Sequence, residues 1–232
     1  MEKHISIGAS ILSADLLNLE SEIRKLKRND INMIHFDVMD GVFVPNITFG
    51  MPVFESINRI DDDDLSMLLD VHLMIADPLK YIDAFGTSGA DYITFHLESE
   101  SDTVETIRAI HNNGCRAGIA IKPDTPAEAV FPYINSKEHK YPYLNSFADI
   151  VLVMTVEPGF SGQKFMDMSE KIRKIREYAD NNSAHEVLIA VDGGIDDQTA
   201  PIVKSAGADI LVSGSYLFKA DDMKKAGEML EA

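Results

Sequence analysis

Three short stretches echo one another: Gly89-Ala90-Asp91-Tyr92-Ile93-Thr94, Phe147-Ala148-Asp149-Ile150-Val151-Leu152 and Gly207-Ala208-Asp209-Ile210-Leu211-Val212. Each follows a helix-like segment and opens a β-branched, apolar run. Glycine lets the chain leave a helix, and the aspartate marks the wet end at which a buried strand begins. The echoes recur about every 60 residues, roughly two strand–helix units of a barrel. Working outward, strands are predicted over 5–9, 33–38, 67–74, 91–96, 116–121, 149–155, 187–192 and 209–214. Helical segments are predicted over 15–28, 51–59, 78–88, 102–113, 126–135, 165–181, 196–205 and 221–231. Leu16, Leu19, Ile23 and Leu26 share one face of the first helix; Phe165, Met168, Ile172, Ile175 and Tyr178 share one face of the sixth. Continuous apolar strands alternating with amphipathic helices call for a parallel sheet covered by helices. Eight such units favour a closed (β/α)8 TIM barrel over an open doubly wound sheet. No Gly-x-Gly-x-x-Gly follows the first strand, which argues against dinucleotide binding.

At 232 residues with 45% hydrophobic side chains, the chain is read as a single domain, 1–232, a common size for one barrel. The longest apolar stretches, near 150–156 and 187–191, are strand-length and far short of the roughly 20 residues of a membrane span. The N-terminus lacks the charged-then-apolar build of a secretion signal. A single cysteine, Cys115, excludes an intramolecular disulfide and fits a reducing compartment. A cytoplasmic location is therefore expected. The formal net charge of −17 argues against nucleic-acid binding, which needs clustered cations to displace counterions. It also means that an anionic ligand must be held by local backbone dipoles or a metal rather than by a general basic field. Asp61-Asp62-Asp63-Asp64 reads as a solvated connection, and 135–147 as an insertion or oligomer contact on the lower face.

Side chains at the carboxyl ends of barrel strands converge on one mouth. His35 and Asp37 stand two apart in Ile34-His35-Phe36-Asp37-Val38-Met39-Asp40, so strand alternation points both inward if Ile34 and Phe36 face the helices. His72 ends the next strand and Asp192 a later one. Two imidazoles and two carboxylates suit Zn²⁺, Fe²⁺, Mn²⁺ or Co²⁺ better than Mg²⁺ or Ca²⁺. Asp70 shares the face of His72 and is placed to support a ligand from behind; Asp40, before Gly41, reads as a turn organiser. Val191-Asp192-Gly193-Gly194-Ile195 and Val212-Ser213-Gly214-Ser215-Tyr216 leave the last two strands, where bare backbone N–H groups can meet a phosphate; turn chemistry alone would also use these glycines. Glu157-Pro158-Gly159-Phe160-Ser161-Gly162-Gln163 reads as a lid or as a static turn. Met39, Met74 and Met154 read as an apolar wall at the mouth or as ordinary core filling.

These residues carry a resemblance. His35-Phe36-Asp37-Val38-Met39-Asp40-Gly41 with Phe43-Val44-Pro45-Asn46, Asp70-Val71-His72-Leu73-Met74, Met154-Thr155-Val156-Glu157-Pro158-Gly159-Phe160 and Val191-Asp192-Gly193-Gly194 resemble the ribulose-phosphate 3-epimerases. The similarity runs in order from Ser10-Ile11-Leu12-Ser13-Ala14-Asp15 to Gly214-Ser215. It implies a cytoplasmic, homo-oligomeric isomerase that interconverts D-ribulose 5-phosphate and D-xylulose 5-phosphate, with no nucleic-acid or membrane partner. It implies one divalent metal ion, Zn²⁺ first, on His35, Asp37, His72 and Asp192, with Asp37 and Asp192 transferring protons. Ser10, His72, Gly159, Phe160, Ser161, Gly162, Gly193, Gly194, Gly214 and Ser215 would contact the sugar phosphate. The family often has proline where Ala9 stands and glycine where Ser161 stands, and the insertion 135–147 is unusual. These departures touch substrate choice, leaving open an epimerase of another ketose phosphate such as D-allulose 6-phosphate. A non-catalytic sugar-phosphate-binding barrel would require loss of a proton-transfer group, and both aspartates are present. Decarboxylases and aldol-type synthases of related barrels typically carry lysine where His72 stands.

Overall fold

The computed structural model describes residues 5–60, 66–134, 146–183 and 185–232. The acidic run at 61–64 and nearly all of the insertion at 135–147 lie outside the described residues. Eight strands, β1 (Ser6–Ser10), β2 (Met33–Met39), β3 (Leu68–Met74), β4 (Tyr92–His96), β5 (Arg116–Ile121), β6 (Ile150–Met154), β7 (Leu188–Asp192) and β8 (Ile210–Ser213), pair in parallel in chain order. β8 closes on β1 through Ser6↔Ile210 to Ala9↔Ser213. Helices α1 (Leu19–Arg28), α2 (Met51–Asn58), α3 (Ile82–Thr87), α4 (Thr103–Asn112), α5 (Phe131–Ile134), α6 (Ser169–Asn182), α7 (Ala200–Ala206), α8 (Ser215–Phe218) and α9 (Met223–Glu231) cover the outside. The protein is a closed (β/α)8 barrel.

Strand alternation divides the apolar residues into two cores. Ile34, Phe36 and Val38 face out, where Phe36 meets Phe54 of α2 and Phe85 of α3 at ring separations of 5.3 and 6.4 Å. Met33, Ala120, Ile150, Leu152, Met154, Ala190 and Ile210 form the separate cluster that fills the barrel. His35, Asp37, Asp70, His72 and His96 are buried polar residues on these same strands. Burying such groups costs free energy unless they pair with one another or with a ligand, so their concentration in one place has to be accounted for.

The repeated Ala-Asp has a structural explanation. The Asp91, Asp149 and Asp209 carboxylates accept the backbone N–H of Leu69, Ala117 and Ile189 at 2.7, 2.8 and 2.7 Å. Their own carbonyls accept from Arg116, Leu188 and Ser6 at 2.9, 2.8 and 2.9 Å. Each aspartate thus joins three consecutive strands at the lower rim, once per two units, and the last one helps to close the ring. Gly207 caps α7 at φ +116°, a left-handed conformation that glycine adopts without strain. The expectation of a wet position is corrected for the third aspartate: Asp209 is buried, with Arg176 at 3.3 Å.

Five helix starts also differ from expectation. A short 3-10 turn precedes each of α1, α3 and α5, which begin at Leu19, Ile82 and Phe131 rather than 15, 78 and 126, and Leu16, assigned above to a helix face, is half exposed. α6 begins at Ser169, not 165, because the Met166 N–H donates to the Thr155 carbonyl at 2.8 Å and holds that segment against β6. Phe165, assigned above to a helix face, instead lines the mouth. α7 begins at Ala200 rather than 196, since Asp196 ties its side chain to the N–H groups of Gln198 and Thr199 in a turn, each at 2.9 Å. The one-turn helix α8 is too short to show a periodicity. Among the described residues no helix is long and apolar enough to cross a membrane.

Candidate active site and metal centre

β2 and β3 run in register with His35 beside Asp70 and Asp37 beside His72, which sets two imidazoles and two carboxylates in one inward-facing block. Asp192 joins from the end of β7. One ligand atom from each of His35, Asp37, His72 and Asp192 lies within 4.8 Å of the other three. His35 presents Nε2 and His72 presents Nδ1, 3.3 Å apart and 3.2 and 3.1 Å from Asp37 Oδ1. Asp192 Oδ2 is 3.9 Å from each of these nitrogens. Behind them, His35 Nδ1 contacts Asp70 Oδ2 at 2.6 Å. The Ser10 hydroxyl donates to Asp37 Oδ2 at 2.7 Å. Thr155 pins the exit of β7: its N–H donates to the Asp192 carbonyl at 2.8 Å, and its hydroxyl reaches the same carbonyl at 2.9 Å and that of Gly193 at 2.6 Å.

The environments of the two aspartates differ. Burial would raise Asp37, but His35 and His72 outweigh it and hold the carboxyl far below the usual range. Burial and the charge of Asp37 push Asp192 up to about 6. Burial opposes a charge on His35, yet Asp37 and Asp70 raise it well above an ordinary histidine. Electron-pair donors converging this closely demand a positive charge, which a proton or a cation supplies. Two neutral imidazoles and two carboxylates balance one divalent ion and form the mixed nitrogen and oxygen set that borderline metals take. The residues present therefore fit such an ion.

Above this floor opens a cavity of about 610 Å³. Ser10, Asp37, Asp192, Gly159, Phe160, Ser161, Gly162, Gly193, Gly194, Gly214 and Ser215 all line it, while His35 and His72 lie fully buried beneath. Met39, Met74 and Met154 line it too, so these methionines form an apolar wall. Gly193 and Gly194 have φ of +121° and +65°, and a side chain on either would press against the backbone nitrogen of Val156 or Phe165, 2.9 Å away in each case. Backbone geometry requires these glycines whatever binds nearby. The Gly159 carbonyl accepts from Asn46 Nδ2 at 2.9 Å, tying the 157–163 loop to the loop after β2, while Phe160 is 54% exposed. Asp40 organises its turn by accepting from Val42 and Phe43, each at 2.8 Å, and also from Ala76 beyond β3 at 2.7 Å. Sequence reasoning passed over Lys164, a cation on this rim.

It also passed over His96 and Glu98. His96 Nε2 lies 3.0 Å from His72 Nε2, and His96 Nδ1 lies 3.2 Å from Glu98 Oε2. Glu98 Oε1 accepts from the Lys122 N–H at 2.9 Å and from the Thr125 hydroxyl. Burial lowers His96 to about 4. Burial works against a charge on Glu98, but its hydrogen bonds from His96 and Thr125 hold it down to about 2. The only signal in the sequence was a histidine ending β4, and one histidine at a strand end is more often structural.

Comparison with known proteins bears on this site. A family model described as the ribulose-phosphate 3 epimerase family matches residues 6–218. A ribulose-phosphate 3-epimerase of Bacillus subtilis is 42% identical over 223 residues, 96% of this chain and 96% of that protein. One of Rhodobacter capsulatus is 42% identical over 218 residues, 94% of this chain and 88% of that protein. Among solved structures, the 3-hexulose-6-phosphate synthase of Salmonella typhimurium superposes with a TM-score of 0.67 at 19% identity, covering 98% of this chain and 97% of that one. Orotidine 5′-phosphate decarboxylase of Pyrococcus horikoshii gives 0.63 at 16%, covering 98% and 97%. At such identities these two structures speak for the barrel alone.

Proposed function

The chain belongs to the ribulose-phosphate 3-epimerase family, and on that premise we propose that it interconverts D-ribulose 5-phosphate and D-xylulose 5-phosphate, with Asp37 and Asp192 as the proton-transfer pair. The observation that carries this reading is a pair of carboxylates that reach one cavity from β2 and β7 and whose environments already differ before an ion binds, Asp37 held far down and Asp192 pushed up to about 6. Epimerisation removes a proton from one face of the carbon beside the ketone and delivers one to the other face. That takes an ionised carboxylate and a protonated one at the same moment. Asp37, stabilised by Ser10 and the two histidines, is the ionised partner near neutral pH, and Asp192 readily carries a proton. The carboxylate takes the C3 proton to leave an enediolate, and the acid on the other side returns a proton to C3. For the opposite epimer the roles exchange.

His35, Asp37, His72 and Asp192 would hold one divalent ion, Zn²⁺ first and Fe²⁺, Mn²⁺ or Co²⁺ next by the softness of the donors. When bound, the ion supplies positive charge that offsets the charge developing on the substrate oxygens. The methionine wall keeps water from the reacting carbon. Backbone N–H groups at 193–194 and 214–215 receive the phosphate, which suits a chain of net charge −17. Phe160 and its neighbours Gly159, Ser161 and Gly162 close over the sugar.

We read residues 1–232 as one barrel domain in the cytoplasm, supported by a single, buried Cys115. Self-association is supported by Leu17, Val42 and Ile47, which are 95, 74 and 75% exposed. As ribulose 5-phosphate is converted in deuterated water by metal-loaded protein, deuterium enters C3 of the xylulose 5-phosphate formed; conversion without exchange overturns the mechanism. The second reading, D-allulose 6-phosphate as substrate, draws on Ala9 and Ser161. Comparison of kcat/KM across pentulose and hexulose phosphates decides it.

A further inference from the structure

We propose that Glu98 and His96 are positioning residues that place the proton of His72 on Nε2, so that Nδ1 presents a bare lone pair to the metal. The inference rests on the metal reading of the site and goes beyond it to two residues outside the ligand set.

With both imidazoles neutral, the geometry allows one ordering of hydrogens along this row. The Glu98 carboxylate only accepts, and its position is fixed by the Lys122 N–H and the Thr125 hydroxyl. His96 Nδ1, 3.2 Å from Glu98 Oε2, is therefore an N–H donor. A neutral imidazole has one donor and one acceptor nitrogen, so His96 Nε2 is the acceptor. It faces His72 Nε2 at 3.0 Å, and two lone pairs do not face each other at that distance. The proton between the rings belongs to His72. Its Nδ1 is then left as the acceptor that points to the cluster.

The alternative tautomer has a partner of its own, which is why a device is needed. With its proton on Nδ1, His72 would donate to Asp37 Oδ1 at 3.1 Å and close the ligand position. Asp37 favours that arrangement, and the Glu98–His96 pair opposes it from the other side of the ring. Asp70 does the same for His35, whose Nδ1 it holds at 2.6 Å, so each ligand histidine is oriented by a carboxylate. The difference is reach: His72 is oriented through a second imidazole. Packing keeps water from the two rings, while Glu98 at the outer end of the row is partly exposed. His96 is fully buried, stacked on His72 at 5.1 Å between ring centres, and covered by Phe43 at 4.9 Å, over which Lys122 Nζ sits at 4.2 Å.

The test joins a spectroscopic readout with a binding one. In Zn²⁺-loaded protein carrying ¹⁵N-histidine, long-range ¹H–¹⁵N correlation should show His96 protonated on Nδ1 and His72 on Nε2; His96 protonated on Nε2 overturns the proposal. Glu98→Gln and His96→Phe should each weaken Zn²⁺ binding by about 10–100-fold in chelator competition, the range for partners behind a metal ligand. KM for ribulose 5-phosphate at saturating Zn²⁺ should stay within about threefold. Should His96→Phe fail to fold, Glu98→Gln and the wild-type spectrum still decide. Variants that melt earlier but bind Zn²⁺ as tightly as wild type have lost a structural contact only, and the proposal falls while the metal reading stands. Wild-type protein that binds no Zn²⁺ overturns both.

Discussion

Replacing Asp192 by asparagine separates the two halves of the proposed chemistry. The substitution is nearly isosteric and keeps a carbonyl oxygen for a metal, but it cannot take or give the proton. Asp192 is the carboxyl raised to about 6 beside an ionised Asp37, so its loss leaves one proton-transfer group in the cavity. A positioned acid or base contributes about 10²–10⁴-fold to such a step, or about 3–5 kcal/mol of barrier. Epimerisation by Asp192→Asn should therefore fall by at least about 100-fold at full metal occupancy, measured by elemental analysis of the assayed sample. Exchange should not fall equally for both sugars. Asp37 still faces one side of C3, so one epimer should exchange its C3 proton with deuterated water without being converted, and the other should do neither. Asp37→Asn should show the mirror pattern. Conversion within tenfold of wild type refutes the reasoning. So does equal exchange of both epimers, or its loss from both with metal bound, because each outcome breaks the link between a carboxylate and a face.

Divalent metal and protons compete for the same lone pairs. His35 is held well above an ordinary histidine and Asp192 at about 6 without metal, so metal affinity should weaken as pH falls and proton release on binding should grow from pH 7.5 to 5.5. Titration calorimetry in buffers of different ionisation enthalpy checks this, and a buffer-independent heat at pH 6 would contradict it. Gly118 faces Thr94 inside the barrel, where an added Cβ would lie 2.1 Å from Thr94 Oγ1. Gly118→Ala should cost about 1–3 kcal/mol of stability, read as a thermal midpoint lower by roughly 2–12 °C; an unchanged midpoint would show that Thr94 gives way freely. Ser10→Ala removes a 2.7 Å hydrogen bond to an ionised Asp37, worth about 1.5–3 kcal/mol. It should lower kcat/KM by about 10–100-fold with metal still bound, and a loss under threefold would take Ser10 out of that role.

Much of the molecule was legible in the chain itself. All eight strands followed from largely apolar runs, because a parallel strand buried on both faces is apolar over most of its length. The period of two put His35 and Asp37 on one side of β2. Strand-end polarity then marked His72 and Asp192, since a barrel brings its strand ends to one mouth. Local hydrogen bonding, by contrast, moved the starts of α6 and α7 by four residues each, because Met166 and Asp196 found partners that no helical periodicity encodes.

The sequence by itself determined which runs are apolar and which polar residues end strands, and hence the barrel and the members of its cluster, but not that Asp209 is buried. Only the tertiary structure decided which nitrogen of each histidine faces that cluster, and that His96 and Glu98 stand behind His72. The physical reason lies in range. Alternation and amphipathicity are local, acting over one strand or one helix, whereas a hydrogen bond between His72 and His96, 24 residues apart, depends on the register of two strands after the barrel has closed.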